Sequence, residues 1–321
     1  MCVLSDEAIT DFDPSSFLKD YEWEMVTLTA PVMEKVRALA ESKKFDVFLN
    51  VCEGYEFEDE EDDLLGYQAI EVVEALENLN LPFTGAGSNC FDPTREEMQE
   101  VADTNGVGFV KGYQVRNVEE AEKLVKNLRF PIMVKHPKSY GSMGMIKESR
   151  AENLEQVLKQ VGRICAEFGA ARMEEFIIGK EFNVLVVENA DDPNHPFVYP
   201  PAELIFPPNE EFWHTDIKWN YDVPFDFKEV TDPALVAHLQ DTGRRMFLAM
   251  GISGYGRCDI RMNENGELFI LEINPNPAIM LQPKEYGPAD YMILYDKDSY
   301  KGFFERIFRS AFHRQKIRFE S

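Results

Sequence analysis

Cations are scarce in this sequence: 33 Lys and Arg stand against 58 Asp and Glu, a formal net charge of -25. Surfaces that bind nucleic acid or anionic membranes nonspecifically need basic residues in excess, so neither partner is expected. An anionic ligand would have to be held by a local positive cluster set against the global field. Cysteine is sparse too. Cys2, Cys52, Cys90, Cys165 and Cys258 are odd in number and lack C-x-x-C spacing, which argues against a disulfide frame or a zinc site and fits a reducing compartment. No apolar run reaches the ~18 to 20 residues of a membrane span. The acidic start MCVLSDEAITDFD lacks the basic beginning and long apolar core of a signal peptide, so a cytoplasmic location is expected. H-E-x-x-H is absent and the five histidines pair with no Ser or Cys nucleophile motif, which leaves covalent hydrolase chemistry without support. G-x-x-x-x-G-K-[ST] is missing as well, so there is no Walker A loop. There is no internal repeat and no low-complexity linker.

What is present fits a soluble globular protein of two or three domains: 321 residues, 44% apolar and 28% charged. The first ninety residues or so read as α/β, with helices around 32–42 and 64–79, a continuously apolar strand FDVFLNV (45–51) and the short LPFTG (81–85). That order predicts a small parallel sheet. From Pro93 the pattern becomes α+β: helices at 95–105, 117–128 and 153–168, strands in VGFVKGYQV, at PIMVK (131–135) and near Met145. A third portion holds the strand KEFNVLVV (180–187), a Pro-rich segment at 193–232 with little periodicity, and a helix at 233–250. So long an irregular stretch inside a compact chain reads as a functional lid. The tract EGYEFEDEEDD (53–63) carries eight carboxylates and reads as an exposed solvated loop. The basic run KGFFERIFRSAFHRQKIRF sets Phe304, Ile307, Phe308, Ala311 and Phe312 at helical spacing, as in a terminal helix docked on the body.

The most informative stretch is GYGRCDIRMNENGELFILEINPNP. Strands at 255–264 and 267–274 around Asn265-Gly266 predict a hairpin with a two-residue loop. In that register Asp259 faces Glu272 and Arg257 faces Asn274. Opposed side chains share one sheet face with Cβ atoms ~4.5 to 5.5 Å apart, where like charges repel. A divalent cation such as Mg²⁺, which prefers oxygen ligands, would neutralise the pair with Asn274 beside it. A solvated acidic face on an ordinary hairpin accounts for the hairpin alone equally well.

Weaker signals precede it. Lys135 ends a strand and is followed by HPKSYGSMGM, a loop whose glycines would let backbone N–H groups approach phosphate oxygens. In MEEFIIGKEF, Glu174 and Glu181 flank a strand-turn where backbone groups of Glu175, Phe176 and Ile177 could meet an adenine edge and Glu181 ribose hydroxyls. Lys218, beside Trp219 in FWHTDIKWNYD, could close over a phosphate. Each has an ordinary structural explanation when taken alone.

Their order is more telling. A strand lysine with a glycine loop, acidic residues around a hinge, a lysine-aromatic loop and then R-x-D followed by E-x-N-x-x-P resemble the ATP-grasp superfamily, and within it D-alanine:D-alanine ligases. The resemblance runs over residues 45–285. It implies a three-domain architecture, α/β and α+β: an N-terminal small parallel sheet (1–92), a central subdomain with the glycine loop (93–175) and a C-terminal domain with lid and metal site (176–321), with nucleotide bound between the two α+β domains. It implies that Asp259, Glu272 and Asn274 hold Mg²⁺, with Mn²⁺ as the alternative. Arg257, Lys218 and Ser142 would form the catalytic set. Lys135, Gly141, Ser142 and Lys218 would contact ATP phosphates, and Glu174, Glu175, Phe176, Ile177 and Glu181 adenosine. The implied reaction joins a carboxylate to an amine through an acyl phosphate, on amino acids or small peptides, in a chain that is a monomer or a homodimer.

The sequence departs from the family where substrates are held. The N-terminal Gly-rich motif with Ser and Glu is not visible, Thr94-Arg95 falls where a nucleotide-contacting lysine is expected, and Gly141 falls at a serine. Trp219 stands for the lid tyrosine, Ala278 for a glycine, and Pro283 for a serine that binds the second substrate. Nucleotide and metal residues are largely kept and amino-acid residues largely changed, so substrates other than two D-alanines are expected. A non-catalytic nucleotide-binding protein on the same scaffold is the alternative.

Overall fold

The computed structural model describes residues 1–6, 12–58, 64–138, 142–218 and 226–320; of residues 55–58 and 64–67, Asp216 and Lys218 it describes the backbone alone. The N-terminal parallel sheet is present, but its central strand is Cys2–Asp6, flanked by Glu24–Leu28 and Phe48–Asn50. CVLSD is short and ends in two polar residues, so it does not read as a core strand. Asp6 is nonetheless buried, because its carboxylate accepts from the N–H groups of Glu53 (2.7 Å) and Gly54 (2.8 Å). LPFTG adds a single parallel bridge, Phe83 to Phe48. The helix expected at 64–79 starts late. Residues Leu64–Gln68 pair with Gly54–Glu58 instead, and Gln68 N–H donates to the Glu71 carboxylate (2.8 Å) to open a helix over Ala69–Asn78. The acidic residues 59–63 lie outside the described residues.

An antiparallel sheet follows in the order Gly112–Val115, Ala171–Glu175, Ile132–Lys135, Arg150–Ala151. No strand forms at Met145, whose N–H closes a turn onto the Ser142 carbonyl (3.0 Å); Arg150–Ala151 takes the place beside Ile132. Helices Val118–Leu124 and Leu154–Phe168, opened by the side chains of Asn117 and Asn153, cover one face and bury Val115, Val134, Val161, Ile164 and Met173. By strand alternation the other face carries Gly112, Met133, Lys135, Arg172 and Glu174.

The largest sheet runs Asp226–Glu229, Ala202–Ile205, Gly179–Val187, Tyr255–Asn263, Leu268–Pro275, with Phe197–Val198 also on Gly179–Val187. The Pro-rich segment therefore contributes three strands and the short helix Thr215–Lys218, because its apolar residues complete this sheet; 219–225 lie outside the described residues. One face buries Phe182, Val184, Cys258, Ile260, Ile270 and Ile273 under helices Arg95–Thr104 and Pro233–Ala249. The other is apolar at one end, where Leu185 and Tyr255 meet the helices Pro288–Tyr295 and Ser299–Glu320, and ionic at the other.

The hairpin reaches the expected pairing by a different route. Asp259 opposes Glu272 and Arg257 opposes Asn274, yet Asn263 N–H bonds the Glu267 carbonyl (3.0 Å) around a three-residue loop with Gly266 at φ +80°. That loop shifts the register by one residue, and a bulge between Asp259 and Ile260 shifts it back. The bulge changes the phase of the strand. Leu268 and Ile270 thus enter the core with Ile273, while Glu272 and Asn274 face away from it, the re-aiming of side chains that bulges perform.

The terminal helix docks as its spacing predicts: Phe304, Ile307, Phe308 and Ala311 are buried, with Phe312 left exposed. No described helix is long and apolar enough to cross a membrane. Asp290, fully buried, ties the segment after the hairpin to these helices: it accepts from Met280 N–H (2.7 Å), Gly287 N–H (2.9 Å) and the Tyr300 hydroxyl. Asp290→Ala would strand the Gly287 N–H and the Tyr300 hydroxyl and leave Met280 N–H only its longer bond to that hydroxyl (3.1 Å), and should lower the unfolding free energy in urea by about 3 kcal/mol; an unchanged value would show that this carboxylate does not hold the segment.

Candidate active site

The ionic end of the large sheet faces the side of the four-stranded sheet that lies away from helices Val118–Leu124 and Leu154–Phe168, and period-two alternation puts the charges there. Glu181 opposes Arg261, Asn183 opposes Asp259 and Leu185 opposes Arg257, all on one face. Arg257 grips Asp259 through Nε (2.7 Å) and Nη2 (2.9 Å), and Asn183 Nδ2 donates to the same carboxylate (2.6 Å). The Asn274 amide nitrogen lies between the two acids, 3.1 Å from Asp259 and 3.3 Å from Glu272. Arg95 completes the set, donating through Nη2 to Glu272 and through Nη1 toward the carbonyls of His136 (3.4 Å) and Pro137 (3.5 Å). Burial opposes the charge on Glu272, but Arg95, Lys135, Arg257 and the Asn274 bond outweigh it and hold its carboxyl at about 2.

Across the cleft Lys135 pairs with Glu174 at 2.5 Å, and Arg172 Nε reaches the other oxygen of Glu174 at 2.8 Å. Burial pulls the Lys135 ammonium below its ordinary value, with Glu174 working against it. Burial likewise disfavours the charge on Glu174, but Lys135 and Arg172 prevail and keep it low. Glu181 is bound by Arg261 (2.9 Å), yet burial dominates and raises its carboxyl. Arg261 also donates to the Ile177 carbonyl (2.8 Å) and lies 4.4 Å from the centre of the Phe176 ring, which contacts Phe212 edge-on.

Of the residues singled out from the sequence, the structure brings Arg257, Asp259, Glu272 and Asn274 into direct contact and sets Lys135, Glu174 and Glu181 in the same cleft. The N–H groups of Glu175 and Phe176 are spent on the carbonyls of Lys111 (2.9 Å) and Pro131 (2.8 Å), and the Glu175 carboxylate turns to Arg129. Those two N–H donors are therefore committed to the fold and not to a base edge. Thr94 caps its helix through Glu97. Ser142 sits in the turn with φ +62°. Gly141 and Trp219 lie outside the described residues, as does the Lys218 side chain. Arg95 belongs to the cleft and stood out in the sequence only at the place of an expected lysine; Arg172, Arg261 and Asn183 belong to it without having stood out in the sequence. Their signal was there as alternation: R-x-E at 172–174, E-x-N at 181–183 and R-x-D-x-R at 257–261.

No group of three or more His, Cys, Asp or Glu is placed to hold a metal ion among the described residues. The donor set for a cation is two carboxylates and an amide, all hard oxygen ligands of the kind Mg²⁺ takes, with the buried Oδ1 of Asn183, which has no partner among the described residues, beside them. The residues fit such an ion, provided that it competes with Arg95 for Glu272. A cavity of about 20 Å³ opens where Arg95, Glu272 and Asn274 meet, room for little more than a water.

Residues 101–281, more than half of the chain, match the family described as D-ala D-ala ligase C-terminus. The D-alanine–D-alanine ligase of Acinetobacter baylyi is 23% identical over 212 residues, covering 65% of each chain. That of Pseudomonas entomophila is 25% identical over 211 residues, 64% of this chain and 61% of that one. This chain thus spans a little under two thirds of the length of these relatives. Among solved structures, the D-alanine–D-alanine ligase of Bacillus anthracis complexed with ATP superposes with a TM-score of 0.66 at 16% identity over 98% of both chains. The VanG D-Ala:D-Ser ligase of Enterococcus faecalis gives 0.68 at 14% identity over 97% of this chain and 99% of its own. In fold the molecule is an ATP-grasp protein, and by its sequence the chain belongs to the D-alanine–D-alanine ligase C-terminal family.

Proposed function

We propose that this chain is an ATP-dependent carboxylate–amine ligase. A carboxylate oxygen attacks the γ-phosphorus of ATP and displaces ADP; an amine then attacks the carbonyl carbon of the acyl phosphate, loses a proton and expels inorganic phosphate, leaving an amide. The observation that supports this reading is the main-chain opposition of Asp259 and Glu272, with Asn274 between them and Arg257 at one end, inside the segment that matches the family. Phosphoryl transfer depends mainly on positioning and charge neutralisation. Arg257 would stabilise the charge on the transferred group, Lys135 would hold a nucleotide phosphate, Ser142 and Gly141 would close the glycine loop over it, and Lys218 would approach from the lid. Glu174, Glu181 and the segment Glu175 to Ile177 would line the adenosine end. Mg²⁺, or Mn²⁺ in its place, held by Asp259, Glu272 and Asn274, would supply positive charge against the phosphate oxygens.

The substrates in this reading are amino acids or small peptides other than two D-alanines, because Pro283 stands for the serine expected to bind the second substrate, Ala278 stands for a glycine, and the N-terminal Gly-rich substrate motif is not visible. The three-part division at 92 and 175 belongs to the same reading, with the helix Arg95–Thr104 packed into the C-terminal core. A nucleotide-binding protein without turnover is a second reading, favoured by one observation: Arg95 already neutralises Glu272.

Phosphate release from Mg²⁺-ATP against a panel of D- and L-amino acids and dipeptides separates the two. A ligase should show release that depends on a particular acceptor and falls at least a hundredfold in Glu272→Gln; ATP binding with silence across the panel would favour the second reading. Arg95→Met tests the ion pair itself. Losing the partner of a largely buried carboxylate should cost about 3 kcal/mol of stability near pH 7. Because the folded carboxyl of Glu272 lies below its unfolded value, its contribution is complete above about 4.5 and is lost as pH falls toward about 2. The stability gap between the native chain and Arg95→Met should therefore narrow from pH 6 to pH 3 in denaturant titrations. A gap independent of pH would show that Arg95 does not act through Glu272.

A further inference from the structure

Arg172 is only 1% exposed, yet one corner of its guanidinium is unused. Nε donates to Glu174 (2.8 Å) and Nη2 to Gln99 Oε1 (2.8 Å) and the Val110 carbonyl (3.4 Å), while the buried Nη1 meets no acceptor among the described residues. A buried cationic donor left without a partner is expensive, and such groups call for an explanation. The seat of this side chain is built. Gln99 is fixed from two sides, since it also accepts from Gly112 N–H (3.1 Å). A Cβ at Gly112 would lie 2.8 Å from Arg172 Nη2 and 2.7 Å from the Met173 carbonyl, so a glycine is what leaves room for the guanidinium.

The surroundings specify the missing partner. Arg172 is the ladder partner of Lys135, and both share the single carboxylate of Glu174. With Arg95 and Glu272 included, three cations share two carboxylates among the described residues here, a local positive excess in a chain of net charge -25. An anionic oxygen brought to Lys135 would arrive beside a guanidinium whose remaining partners hold it in place. We propose that Arg172 is a further phosphate-binding residue of the cleft, its Nη1 held for an oxygen of the polyphosphate chain of a nucleotide. This rests on the ligase reading of the site for the identity of the nucleotide and adds to it a residue at which charge-assisted binding is decided.

The test is calorimetric titration of the full chain with adenosine, ADP and ATP in the presence of Mg²⁺, comparing the native protein with Arg172→Met and Arg172→Lys. The expected result is a Kd for ATP on the order of tenfold higher or more in Arg172→Met, with adenosine within twofold of native and partial recovery in Arg172→Lys. Equal weakening of adenosine and ATP would mean that Arg172 only props the cleft and would overturn the proposal, as would an unchanged Kd for ATP. If Arg172→Met fails to give a cooperative melt, Arg172→Lys decides: an ATP-to-adenosine affinity ratio equal to native overturns the assignment, and a lowered ratio supports it. A native chain that binds none of the three ligands would sink the nucleotide reading as well. One that prefers ATP with the ratio unmoved in both variants would sink Arg172 alone.

Discussion

Main-chain pairing holds Asp259 and Glu272 opposite each other, and two like charges at ladder spacing repel unless cations are supplied. Much of the cleft follows from that constraint. Arg257 takes Asp259 from its own strand, Arg95 reaches Glu272 from the start of a helix in another part of the chain, and Asn274 and Asn183 fill the remaining positions with amide donors. The same economy recurs across the cleft, where Glu174 is shared by Lys135 and Arg172. A strongly acidic protein thus concentrates several of its few cations in one place, against carboxylates too few to absorb them all. The excess is what an anionic ligand would meet. Breaking one such pair leaves a charge inside a poorly solvating interior, so these residues act as a unit.

The hairpin shows how far such a site can be read in advance. Which residues oppose each other was legible from Asn265-Gly266 and the apolar run around it. The route was not: a three-residue loop and a bulge each displace the register by one, and their effects cancel at Asp259 and Glu272. Local turn chemistry says little about a bulge several residues away, because what demands it is tertiary. Leu268 and Ile270 need the core while Glu272 and Asn274 need the cleft, and a strand of unbroken phase would put all four on one side.

Elsewhere legibility followed the length of the pattern. Helices with several turns of amphipathic spacing, such as Leu154–Phe168 and Pro233–Ala249, lie within a residue or so of their expected bounds. Cys2–Asp6 was invisible because five residues carry almost no periodicity, and its polar end is rescued by distant N–H groups. Arg95 was noticed only as a replacement for a lysine. That it spans to Glu272 is a contact between residues 177 positions apart, which no local pattern encodes.

The C-terminal helix does more than cover the sheet. Arg314 donates to the Phe83 carbonyl (2.7 Å), Arg318 to that of Leu81 (2.6 Å) and Gln315 to that of Asn80 (2.9 Å). The acceptors on residues 80–83 are thus completed by donors made more than two hundred residues later in the chain. During synthesis the N-terminal unit must wait for them with those carbonyls left to water, and it closes only once residues 314–318 have been made. The N-terminal unit and the C-terminal helix are thus fastened to each other in an order that the direction of the chain does not follow.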